Sequence, residues 1–123
     1  MYEKRLETLV LRLKKTGAKL IWATTTPVCP AAERTMEKRF KTTVVISEET
    51  EKKYLDAALK VMQKYKIPIN DLHAAIRPQL KKYARADNDV HFNKEGRKLL
   101  GDKVAESIKK TLLQTVKPIE ELK

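Results

Sequence analysis

The sequence predicts an α/β fold with short parallel strands. Stretches with apolar residues at helical spacing alternate with short apolar runs, in the order α–β–irregular segment–α–β–α–loop–α. That alternation is the pattern of a layered α/β domain. The runs are also continuous, as in strands covered on both faces, and not alternating as in a half-exposed sheet. At 123 residues the chain is long enough for one domain (1–123) and not for two.

Tyr2 to Lys15 is the first helix, with Tyr2, Leu6, Leu9, Val10 and Leu13 at helical spacing. Gly17 follows the last turn as its C-cap. "LIWATTTP" supplies the first strand, from Leu20 through Trp22, extended by Thr24, Thr25 and Thr26 and stopped by Pro27. "CPAAERTMEKRFK" has room for a short helix, and "TTVVIS" is β-branched enough for an added strand or hairpin arm. From Ser47 or Thr50 a clear helix runs to about Lys66, its core stripe being Leu55, Ala58, Leu59, Met62 and Tyr65. "IPIN" is the second strand. Asp71 can cap a helix from Leu72 to about Tyr83, interrupted or bent at Pro78. Asn93 is a good N-cap for the last helix, which reaches about Val116 with Leu100, Val104, Ile108 and Leu112 on one face; Pro118 ends it.

The composition is 41% hydrophobic and 35% charged, enough apolar residues for a core under a strongly charged surface. No run is long and apolar enough to span a bilayer. Met1-Tyr2-Glu3-Lys4-Arg5 leads straight into a helix pattern, so the expectation is a soluble chain without a signal peptide, cytoplasmic as written. The single cysteine, Cys29, excludes an internal disulfide framework and a CxxC metal site. No His/Cys/Asp/Glu spacing suggests a metal, and no cofactor motif is present. The net charge of +11 is read as lysine-rich solvated helix faces. A nucleic-acid or anionic-surface binder is the competing reading of that charge. No finger, homeodomain or RNA-binding signature accompanies it, and binding that collapses with salt would be its mark.

Chemistry concentrates in "DNDVHFNKEG", Asp87 to Gly96, where acids and an imidazole precede a helix start. Together with "LIWATTTPV" and "ALKVMQKYKIPINDLHAAIRPQL", this block resembles the C-terminal half of bacterial SGNH/GDSL-type hydrolases. The resemblance covers about Tyr2 to Ile108, with Val28 to Glu49 as a poorly matched insert. It implies a three-layer α/β/α (SGNH/flavodoxin-like) fold and hydrolysis of carboxylic esters by a serine nucleophile, a histidine base and a supporting aspartate. His91 matches the histidine of the family's D-x-x-H block. Asn88, not an aspartate, stands three residues before it; Asp89 is two before and Asp87 four before. In an extended loop Asp89 shares a side with His91, and in a helical turn Asp87 is better placed; Asp89 is preferred. Its role would be to fix the imidazole tautomer and stabilise the imidazolium.

The departures are as informative. The family's G-D-S-type nucleophile block and its oxyanion glycine and asparagine have no counterpart in this sequence. Of the two serines, Ser47 lacks a preceding Gly-Asp and Ser107 lies within the last helix. The expectation is an SGNH-like hydrolase that begins after its nucleophile, weakly active or inactive, since nucleophile and base act as a unit. Cys29 is a candidate substitute nucleophile, with an inert thiol as the default. His73, at a helix start, is read as structural. A two-stranded parallel sheet is not a stable unit, and an open apolar edge invites pairing. Self-association to a two-fold dimer is therefore expected, with "TTVVIS" adding an edge or folding back. A non-catalytic α/β scaffold or oligomerisation module is the alternative function.

Overall fold

The computed structural model describes residues 1–29, 47–87 and 89–114. The described chain is mixed α/β, mostly helical, with one sheet of two parallel strands. The possible short helix after Cys29, the strand in "TTVVIS", Asn88 and Pro118 lie outside these residues.

Helix α1 spans Tyr2–Lys14 and buries Leu6 and Val10. It ends in a turn in which Thr16 bonds back to Leu13 through both its backbone N–H and its hydroxyl. Gly17 then adopts φ +75°, a left-handed conformation that a Cβ disfavours. Strand β1, Trp22–Ala23, follows.

Helix α2, Glu48–Lys64, starts at Ser47, whose hydroxyl accepts the Thr50 N–H at 3.1 Å. Three glutamates occupy its first turn, where the helix dipole favours negative charge. Ala58, Val61 and Met62 are buried, and these join Leu6, Val10 and Ile67 in the core, with Leu20, Trp22 and Tyr65 packed against it. Glu7 of α1 ties the two helices by accepting from both Lys64 Nζ and Tyr65 Oη, each at 2.6 Å.

The end of α2 is a Schellman motif. The Ile67 N–H bonds to the Met62 carbonyl at 2.9 Å and the Lys66 N–H to the Gln63 carbonyl at 3.1 Å. Met62 and Ile67 belong to the same core cluster, the hydrophobic pairing that often accompanies the motif. Lys66 therefore sits at φ 54°, the position usually given to glycine. Lys66→Gly is expected to stabilise the chain by about 1 kcal/mol, because the left-handed strain on a residue with a Cβ outweighs the extra chain entropy of glycine. A rise in Tm checks it.

Strand β2, Ile69–Asn70, pairs with β1 in register Trp22↔Ile69 and Ala23↔Asn70. Flanking bonds extend the pairing from Trp22 N–H to Pro68 O (2.9 Å) and from Thr24 N–H to Asn70 O (3.0 Å). Both strands are shorter than the apolar runs that announce them: Leu20 and Ile67 pack as core residues ahead of the pairing.

The segment read as one helix from Leu72 is three short pieces. Helix α3 is Leu72–Ile76, capped by Asp71, whose side chain accepts the Ala74 N–H. A 3₁₀ turn, Arg77–Gln79, carries Pro78, and α4 is Leu80–Tyr83. Proline has no N–H for the helical ladder and crowds the preceding turn, so the α-helix cannot run through it. Helix α5, Lys94–Leu113, is capped by Asn93 and rests on α3, α4 and β2. Its apolar stripe is more open than its spacing suggests, with Val104 37% and Ile108 46% exposed.

Candidate functional site

The loop between α4 and α5 is closed by its backbone. Ala84 and Phe92 form an antiparallel bridge. The Arg85 N–H bonds to the His91 carbonyl at 2.9 Å, and the Asn93 N–H to the Tyr83 carbonyl at 2.8 Å. Asn93 then works in both directions. Its Nδ2 donates to Lys82 O at 2.7 Å, and its Oδ1 accepts the Gly96 N–H at 2.9 Å. Gly96 is buried against this stem, with no room for a Cβ beside Tyr83 and Phe92. The sequence "FNKEG" thus docks the start of α5 directly under the loop.

This frame presents Asp89 and His91 as a pair. Asp89 Oδ1 lies 2.5 Å from His91 Nδ1 and also accepts the His91 backbone N–H at 3.1 Å. Asp89 Oδ2 accepts from Arg85 Nε at 2.8 Å. The bonds from the His91 ring and backbone, followed by the charge of Arg85, hold the Asp89 carboxyl down to about 2. The Asp89 side chain is 18% exposed and that of His91 68%. The acid therefore occupies Nδ1 of an imidazole whose ring is largely open to solvent. Such a pair can accept a proton at Nε2 while the carboxylate stabilises the resulting imidazolium.

Of the acids around His91, the structure brings Asp89 to the ring. Asp87 lies on the rim of a different cleft, formed by the 3₁₀ turn and α4 with Cys29. Burial pushes the Cys29 thiol up from its ordinary value; the Asp87 carboxylate adds to this and Lys81 opposes it. That environment disfavours the thiolate, the opposite of an activated nucleophile. His91 does not line the Cys29 cleft among the described residues. Ser47 is the cap of α2, its hydroxyl engaged with Thr50. Ser107 is half-buried inside α5.

His73 has a structural setting. Its Nε2 lies 2.5 Å from Glu51 Oε1, the two side chains being 15% and 16% exposed. Its backbone N–H donates to Thr24 Oγ1, and that hydroxyl donates to Asp71 Oδ1. The network bolts the end of β1 to the start of α3 and to α2. Beside it, Trp22, Tyr54, Leu55 and Ala58 wall an apolar cavity of about 330 Å³ with Thr25 and Glu51 at its polar side. Thr24 is thereby explained as a buried, fully used hydroxyl, and Thr25 as a cavity wall.

Sequence reasoning missed Arg85 and Glu51. Arg85 stands four residues before Asp89 with opposite charge, but that spacing signals a pair on a helix, and here the hairpin brings the two together. Glu51 was not findable, because its partner is 22 residues away across a turn of the fold. Among the described residues no cluster of metal-ligating side chains occurs, and no helix is long and apolar enough to cross a membrane. No family model matches the chain, and no curated protein matches its sequence.

Proposed function

We propose that this chain carries the acid–base pair of a carboxylic ester hydrolase of SGNH type, with His91 as general base and Asp89 as its support. The observation that carries the reading is the 2.5 Å contact from Asp89 Oδ1 to His91 Nδ1, made beside an open imidazole face. The three-layer α/β/α arrangement belongs to the same proposal; two parallel strands with helices packed on them are compatible with it. The substrate is a small ester, and the nucleophile comes from outside the described contacts of His91. A second copy of the chain is the proposed source, offering a threonine hydroxyl across a two-fold interface, since Cys29 is buried with its thiol pushed up and the Ser47 hydroxyl caps α2. The exposed apolar residues Val104 and Ile108 of α5 favour such self-association.

One observation favours a second reading, the non-catalytic scaffold: among the described residues the only side chain bonded to the His91 ring is that of Asp89. A base without a nucleophile gives no more than imidazole-like hydrolysis of activated esters. Hydrolysis of p-nitrophenyl acetate separates the two. On the hydrolase reading the purified chain exceeds free imidazole at equal concentration, activity per chain rises with chain concentration, and His91→Ala abolishes the excess. A rate no greater than that of free imidazole, whether or not it falls in His91→Ala, establishes the scaffold.

A further inference from the structure

We infer that Arg85 is the positioning residue of the Asp89–His91 pair, clamping the carboxylate so that one oxygen is committed to the imidazole. The inference rests on the acid–base reading of that pair. Asp89 is two residues from His91, close enough for either carboxylate oxygen to reach the ring by rotation of the side chain. Arg85 removes that freedom. Its Nε holds Oδ2 at 2.8 Å, while the backbone N–H of His91 holds Oδ1 at 3.1 Å. With both oxygens assigned, Oδ1 faces Nδ1 at 2.5 Å. The guanidinium is also registered to the histidine through the main chain, because the Arg85 N–H bonds to the His91 carbonyl at 2.9 Å. Anchor and base therefore move as one piece of hairpin.

The Arg85 side chain is 65% exposed, so the ion pair adds little to global stability. Its effect lies in orientation and tautomer. An acceptor fixed at Nδ1 keeps the proton there and leaves the Nε2 lone pair free, the form a general base needs.

Nitrogen-15 NMR of the His91 ring and carbon-13 titration of the Asp89 carboxyl, on the full chain, test this without any requirement for turnover. In the wild type the Nδ1–H tautomer should dominate. In Arg85→Ala the tautomers should mix and the Asp89 midpoint should rise toward the ordinary carboxylate value, with Tm within about 2 °C of the wild type. Arg85→Lys keeps the charge without the planar Nε donor, so it should restore the midpoint more than the tautomer. An unchanged tautomer and an unchanged midpoint in Arg85→Ala overturn the clamp. That result would leave the ester assay untouched, and failure of the ester assay would leave the tautomer shift standing.

Discussion

Gly96→Ala is expected to lower the stability of the chain, whereas Gly101→Ala in the same helix is expected to raise it. Both glycines lie in α5, and helix propensity alone favours alanine at each by about 1 kcal/mol. Their surroundings decide the sign. A Cβ at Gly101 meets nothing within 4 Å. A Cβ at Gly96 lands 2.9 Å from Tyr83 Cβ, 3.0 Å from the Tyr83 carbonyl and 3.1 Å from Phe92 Cβ. Backbone and Cβ atoms cannot swing aside as the end of a flexible side chain can. Relief requires α5 to back away from the stem, and the Tyr83 carbonyl is the acceptor for the Asn93 N–H. Overpacking costs about 1–3 kcal/mol, and three close atoms that cannot swing aside put Gly96→Ala at about 2–3, so after the propensity gain it loses about 1–2 kcal/mol net. Thermal melts should show a fall of roughly 5–10 °C for Gly96→Ala and a rise for Gly101→Ala. Equal rises in both would mean that α5 does not rest on the loop.

The same stem shows how far the sequence could be read. Helix starts were legible because their caps are local: Ser47, Asp71 and Asn93 each accept an N–H three residues on. Pro78 marked its own break, although not the 3₁₀ turn that bridges it. Strand extent was not legible. Apolar runs report burial, and Leu20 and Ile67 are buried or half-buried without being paired. The apolar face of α5 misled in the other direction, since periodic spacing says which residues share a face and not whether anything covers it. At the site, the choice of Asp89 over Asp87 rested on an extended loop, whereas the Asp89 N–H closes a turn on the Ala86 carbonyl, and Asp89 reaches the ring from an Asx-type turn in which it also accepts the His91 N–H. The clamp by Arg85 needed the fold of the hairpin to be seen. The network of Glu51 and His73 needed the whole path from α2 to α3.

Asp89→Asn is expected to have a large effect on activity and a small one on the fold. The amide keeps the shape of the carboxylate but has one acceptor oxygen for two directions of demand. If that oxygen faces His91, the amide NH₂ is turned on the Arg85 Nε–H, donor against donor. If it faces Arg85, the NH₂ meets Nδ1 and forces the proton to Nε2, which then cannot act as base. Either way the imidazolium loses its counter-charge. On the hydrolase reading kcat/KM for p-nitrophenyl acetate should fall by on the order of 10²–10⁴-fold, with KM little changed. The pH dependence gives a check that does not depend on turnover. The folded Asp89 carboxyl is lowered from 3.8 to about 2, so its share of stability is fully present above about 4 and is lost as pH falls through about 2. Asparagine does not titrate. The stability difference between wild type and Asp89→Asn should therefore shrink as pH falls across the window from 3.8 to 2. A difference that keeps its size through that window would show that His91 and Arg85 do not hold the carboxylate in its charged form, and the acid–base pair would lose its physical basis.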